Sequence, residues 1–308
     1  MNPSGAQHVI RHGSQEAVAV EVGGGLRTYT VAGRDVLDGY NAGAMCDGAR
    51  CQTLVPWPNR VQDGKWRWAD NNQQLAITEP EQHNAIHGLA RWLAWDLVGQ
   101  EDSSVSLRCV IAPQPGYPWR LEVTNAWSLD DGGLTVVTTV RNDSETDAPV
   151  AVGFHPYITV GTPTVDDALL TIPAKTRLLT GAQQIPSGAE QVAGTDYDFR
   201  EPRRLGDLQI DHTYTQLGRD PDGLARLRLA SPDGQRTVTV WVGGAYPYLE
   251  VFTGDALPDP ARRRAGLGVE PMSAPPNALA SGESVVAVSP GEQWQGSWGI
   301  QASFGGEG

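Results

Sequence analysis

At 308 residues, 40% hydrophobic and 19% charged, the chain is long enough for a large core, and length alone leaves one or two domains open. A net charge of −13 argues against a polyanionic partner such as nucleic acid, which needs a basic surface to displace its counterions. No apolar run approaches the roughly 18 residues of a membrane span, and Met1-Asn2-Pro3-Ser4-Gly5 is polar, so a cytoplasmic protein with no membrane partner is expected.

In chain order, Cys46, Cys51 and Cys109 are odd in number and lack the close paired spacing of a zinc site, which predicts reduced structural thiols and no Cys-bound metal. In Leu54-Val55-Pro56-Trp57-Pro58-Asn59-Arg60-Val61, two prolines fix a rigid, non-helical path that delivers Asn59 and Arg60 side by side. An amide beside a planar fork of donors suits sugar hydroxyls; a structural turn with a surface arginine is the plainer reading. His83-Asn84-Ala85-Ile86-His87-Gly88-Leu89 has the His-x-x-x-His spacing of a helical zinc pair. Yet no Glu follows the first histidine, Gly88 follows the second and no third ligand is evident. A loop presenting His87 as a donor, or a structural histidine, fits better.

Period-two alternation then recurs over 105–110, 121–124, 134–140, 227–229 and 237–242, each reading as a half-buried strand. Turn residues punctuate these runs at Asp130-Asp131-Gly132-Gly133, Arg141-Asn142-Asp143-Ser144 and Ser231-Pro232-Asp233-Gly234. Almost nothing between them has a helical apolar period. The fold class is all-β, a large antiparallel sandwich, and without a repeat or linker residues 1–308 are expected to form one domain.

Several segments place polar residues where alternation does not ask for them. In Gly153-Phe154-His155-Pro156-Tyr157 the proline biases His155 to extended geometry, so its ring projects from a strand end beside Tyr157. There an imidazole is either structural or, in a partly desolvated cleft, an acid or base. Asp211, between Ile210 and His212, is either a turn cap or a hydrogen-bond acceptor. Arg262-Arg263-Arg264 is a solvated charge run or an anion clamp. Glu270 ends the apolar run Gly266-Leu267-Gly268-Val269 with Pro271, Pro275 and Pro276 beyond it, where a carboxylate is costly unless used. Ten Trp and eight Tyr against four Phe offer amphipathic rings of the kind sugar sites use, although most belong in a core.

Together, Pro56-Trp57-Pro58-Asn59-Arg60, Ile86-His87-Gly88-Leu89, His155-Pro156-Tyr157, the Asp211 segment and Glu270-Pro271-Met272 resemble, in order and spacing, the bacterial branch of the aldose 1-epimerase, or galactose mutarotase-like, family. The likeness covers about residues 17 to 301 and ends on a Pro290-Gly291-Glu292 turn. It implies a twisted β-supersandwich with a cleft on its concave face. It further implies an isomerase that needs no cofactor and no metal and interconverts the anomers of a free aldose such as glucose or galactose. Carried over, the general base falls on Glu270 and the general acid on His155, on opposite sides of the sugar, with the carboxylate holding His155 protonated. Asn59, Arg60, His87 and Asp211 fall on positions that bind hydroxyls. Glu250 stands where relatives often carry Gln, which bears on which hydroxyl is bound. The partner is a small-molecule sugar; monomer and dimer both remain open. The rival readings are a mutarotase for sugar phosphates, a glycoside hydrolase pairing Glu270 with Asp211 or Glu250, and a non-catalytic carbohydrate-binding protein.

Overall fold

Residues 121–130 alternate buried and half-buried along nearly their whole length, as the period-two reading requires, in a computed structural model that describes residues 2–305. The strand Leu121–Asp130 pairs with Gly133–Asn142 in unbroken register from Asp130↔Gly133 to Leu121↔Asn142. Its turn is built locally: Asp130 Oδ1 accepts the Gly132 N–H at 2.7 Å, and Gly133 takes a φ of 109°.

These two strands lie within a nine-stranded sheet ordered 96–100, 104–111, 121–130, 133–142, 293–304, 236–242, 225–230, 169–171 and 203–204. A second large sheet runs 186–191, 174–180, 211–217, 248–252, 267–272, 153–154 and 53–54, with 157–158 also paired to 267–272. A four-stranded sheet spans residues 7–35. Every strand pairing among the described residues is antiparallel, and their one α-helix is the four-residue Ala278–Ser281. No helix there is long and apolar enough to cross a membrane.

The inner faces of the two large sheets meet in an aromatic cluster. Phe154 packs 5.1 Å from Trp298 and 5.8 Å from Trp127, and the two tryptophans lie 6.0 Å apart nearly perpendicular. All three rings are fully buried, and each such pair adds about 0.5–1.5 kcal/mol beyond simple burial. Truncating Phe154 to alanine would cost about 3–5 kcal/mol. Most of the abundant tryptophans go into the core in this way. The three cysteines are free and buried, and burial pushes the Cys46 and Cys51 thiols up to about 12.

Candidate active site

Side chains alternate across a strand, so anchoring Phe154 in the core turns its neighbour His155 to the opposite face. The same logic applies to the two central strands. Leu249, Val251 and Val269 are buried in the core, which leaves Glu250 and Glu270 on the other side. Register aligns these residues in one row: Thr213 opposes Glu250, and Glu250 opposes Glu270. The flanking pairs Gly153↔Met272 and Tyr157↔Gly268 put His155 opposite Glu270. Gly268 lies between Phe252 and the ring: a Cβ there would press on Phe252 Cβ at 3.2 Å and meet His155 Cε1 at an ordinary 3.6 Å.

His155 Nε2 lies 3.1 Å from Glu270 Oε1, with the residues only 6% and 2% exposed. Opposite sides of a sugar were expected; the structure sets the pair side by side in a single floor. Tyr157 stacks on the imidazole at 4.9 Å and 14°, and the Arg50 guanidinium sits 4.3 Å from the far Tyr157 ring. Arg50 is itself anchored to Asp38 at 2.7 Å and Asp47 at 3.0 Å.

Burial pushes the His155 imidazole down to about 3, and the Arg91, Arg50 and Arg60 charges act in the same direction. Burial pushes the Glu270 carboxyl well above the carboxylate range, and Asp211 adds to it. Against the expectation that an ionised Glu270 keeps His155 protonated, desolvation pushes both groups toward their neutral forms across the 3.1 Å contact.

Above this floor the Pro56–Pro58 segment delivers Asn59 and Arg60. Asn59 is buried at a φ of 53°, and its Oδ1 accepts the Arg60 N–H at 2.9 Å. Backbone bonds clamp Asn59 to His87: His87 N–H donates to Asn59 O at 2.9 Å, and Asn59 N–H donates to His87 Nδ1 at 3.2 Å. Gly88 permits the approach, having a φ of 69° and its Cβ position 2.3 Å from Val55 O. An accepting Nδ1 fixes the proton of neutral His87 on Nε2, and burial holds this histidine well below its ordinary pKa. His87 is thus a neutral N–H donor whose ring centre lies 5.5 Å from that of His155.

Arg60 is less free than its sequence suggests. Glu79 takes one edge of the guanidinium, at 2.9 Å from Nε and 2.9 Å from Nη2, and Nη1, held only by a long 3.5 Å bond to Asn59 Oδ1, keeps a hydrogen for the cleft. Asp211 begins the strand Asp211–Leu217 and is half-buried; burial raises its pKa, and the Arg60 charge opposes that rise. Glu250, 3% exposed, accepts a hydrogen bond from Thr213 Oγ1. Burial holds its carboxyl well above the ordinary range, reinforced by Asp211 and Glu270. Asn59, Arg60, His87, His155, Asp211 and Glu270 all line one cleft of about 310 Å³, and Glu250 lines a smaller space adjoining it.

His87, His155 and Glu270 each offer a ligand atom within 4.8 Å of the others, a possible metal triad. The Asn59 N–H argues against it, because the tautomer it imposes puts hydrogen on the His87 nitrogen a metal would need. The His83–His87 spacing assembles no site: His83 is exposed and bonds Asp63 at 2.8 Å, whereas His87 faces His155. The arginine run is no anion clamp, and of the three only Arg263 is exposed to solvent. Arg262 pairs with Asp38, Arg263 donates to Leu257 O, and Arg264 pairs with Asp166 and Asp255. Six further cleft residues, Glu79, Glu81, Gln82, Gln184, Phe252 and Ala256, carry no signal that sequence reasoning used. Glu79 sits in an ordinary acidic turn, Gln184 in a hairpin tip, and Phe252 in an apolar strand.

The sequence profile of the aldose 1-epimerase family matches residues 7–301. The uncharacterised protein YihR of Escherichia coli K12 is 30% identical over 293 residues, covering 95% of this chain and 92% of its own. A solved GalM/aldose epimerase homologue from C. elegans superimposes with a TM-score of 0.85 at 16% identity, covering 98% of this chain and 99% of the other. A galactose 1-epimerase structure from Lactobacillus acidophilus gives a TM-score of 0.81 at 18% identity, with 97% and 94% covered. Both structures share the fold.

Proposed function

Because the chain belongs to the aldose 1-epimerase family, we propose that it is a mutarotase, an isomerase that interconverts the α and β anomers of a free aldose such as glucose or galactose. The observation that carries this reading is the 3.1 Å contact between His155 Nε2 and Glu270 Oε1, buried in the floor of a cleft walled by hydroxyl-binding groups. Mutarotation needs only proton transfers. Glu270 takes the proton of O1 while His155 gives one to the ring oxygen; the ring opens to the aldehyde, C1–C2 rotates, and closure on the other face returns both protons.

Side-by-side placement suits this chemistry, since O1 and the ring oxygen are both bonded to C1. A substrate lying over the floor presents both atoms to the pair together. Passing the carboxyl proton from Glu270 to His155 creates the reactive base and acid without changing the net charge of a desolvated site. Each positioned group contributes about 10²- to 10⁴-fold. His87 Nε2–H, Arg60 Nη1 and the Asn59 amide supply donors, and Asp211 supplies an acceptor, so that C1 is held over the pair. Glu250 completes the polar floor beside Asp211. The same reading takes residues 1–308 as one unit, working in the cytoplasm on a small-molecule sugar.

Polarimetry of freshly dissolved α-glucose and α-galactose tests the proposal. The protein should accelerate the approach to equilibrium far above the buffer rate, and His155 and Glu270 variants should not. Calorimetric sugar binding without any acceleration would instead mark a carbohydrate-binding protein.

A further inference from the structure

Orienting an imidazole often falls to a hydrogen bond at its second nitrogen, from a carboxylate or a carbonyl. In His155, Nε2 meets Glu270, whereas Nδ1 is buried and bonds no other residue among those described. The torsion that turns a histidine ring is broad, so without such an anchor the ring needs another restraint. Tyr157 supplies it, stacked on the imidazole at 4.9 Å and 14°. Phe252 meets both rings edge-on, 6.5 Å from the imidazole and 6.4 Å from the phenol.

Tyr157 is in turn held by residues 48–51. Its Oη donates to Gly48 O at 3.1 Å, the Arg50 guanidinium lies 4.3 Å from its ring centre, and Cys51 N–H donates to His155 O at 2.8 Å. Ala49 and Cys51, on either side of Arg50, take left-handed φ values of 57° and 52°, strain that persists only where surrounding contacts impose it. Arg50 is 2% exposed, and neither it nor Tyr157 lines the cleft. Its Nε donates to Asp47 Oδ1 at 3.0 Å and its Nη1 to Asp38 Oδ2 at 2.7 Å, while Nη2 is buried with no partner among the described residues. Neutralising these acids does not account for so deep a burial. Asp38 also pairs with Arg262 at 2.7 Å, and Asp47 is 40% exposed to water. What Arg50 alone provides is a flat cation against the tyrosine ring.

Resting on the mutarotase reading, we infer that Arg50, outside the cleft, is a positioning residue for the acid: acting through Tyr157, it holds the His155 imidazole with Nε2 toward Glu270. Strand register brings the backbones of His155 and Glu270 together, but aiming the ring depends on the tyrosine stacked against it. Without the guanidinium Tyr157 is free to turn, and the imidazole with it. Misplacing a reacting group by about 1 Å costs up to about 10²-fold in rate. Binding is affected less, because the donors and acceptors assigned to the sugar hydroxyls sit on Asn59, Arg60, His87 and Asp211.

Arg50→Met, checked for native circular dichroism, should lower polarimetric kcat about 10- to 100-fold on whichever of glucose and galactose the wild type turns over, with KM within about threefold. Repeating the substitution in the His155→Asn background isolates the route: a residue that acts through the imidazole has nothing left to position there, so the further loss should be under about threefold. An equal loss in both backgrounds, a loss confined to KM, or an unchanged kcat in the folded variant overturns the inference. If Arg50→Met does not fold, Arg50→Lys, which keeps a charge for Asp38 and Asp47 but not the flat stack, takes its place and the same outcomes decide. Turnover of no sugar by the wild type defeats the mutarotase reading instead, and nuclear magnetic resonance then decides the positioning alone. His155→Asn identifies the His155 ring protons among those of six histidines. Their Overhauser contacts to the Tyr157 ring should vanish in the folded Arg50 variant, and contacts of wild-type strength overturn the inference.

Discussion

Replacing Glu270 with glutamine should move activity and stability in opposite directions. The amide keeps the shape of the carboxyl and accepts from His155 Nε2 across the 3.1 Å contact, but it does not take the O1 proton. Loss of one general base predicts a fall in kcat of about 10²- to 10⁴-fold, or about 3–5 kcal/mol of barrier. Stability responds to the same burial with the other sign. Glu270 is 2% exposed and its folded pKa is raised, so its favourable contribution is complete below the unfolded value near 4.3 and is lost as pH rises through the folded value. At pH 7 the wild-type penalty that glutamine removes is bounded at about 3.7 kcal/mol, from roughly 2.7 pH units at about 1.36 kcal/mol each. Polarimetry read beside thermal unfolding at pH 5 and pH 8 provides the assay. Tm should be higher in the variant at pH 8, with a smaller gap at pH 5. Polarimetric activity above about a tenth of wild type would refute the base assignment, and a lower Tm at pH 8 would refute the desolvated, proton-holding site.

The active pair carries one proton, so kcat/KM should fall on the acid side when a second proton adds and on the alkaline side when the first is lost. With His155 pushed down to about 3 and Glu270 pushed up, the acid limb should lie well below that of a free imidazole near 6.5; a limb centred between about pH 6 and 7 would contradict this. His155→Asn should cost at least about 100-fold and abolish that limb, and an active variant with an unchanged profile would move the acid role to His87. Exhaustive chelation and dialysis should leave full activity, because the Asn59 N–H sets His87 in the tautomer that does not bind metal at Nε2; a zinc-restorable loss would reverse that conclusion. Glu79→Gln should raise KM about tenfold with kcat within threefold, since it loosens Arg60 without touching the acid–base pair; unchanged KM would show that Arg60 is positioned by something else.

The fold class and most of the cleft were legible in the sequence for a local reason. Period-two alternation in 121–124 and 134–140 declares strands, which the structure extends to 121–130 and 133–142, and proline fixes the path before Asn59 and after His155. A carboxylate at Glu270 in a buried apolar run marks a place where something other than packing is at work. Such features depend on neighbours in the chain. What only the tertiary structure decided depends on register and on long-range contacts. Glu250, Glu270 and His155 become one row because separate strands pair at particular offsets, and a slip of one residue would send any of them into the core. Glu79 reaches Arg60 across 19 residues, and Gln183 reaches Asp63 across 120, through segments whose local sequence resembles any polar turn. Protonation is equally non-local: the charges of His155 and Glu270 are set by how much water the packed sheets exclude, a quantity no single strand contains.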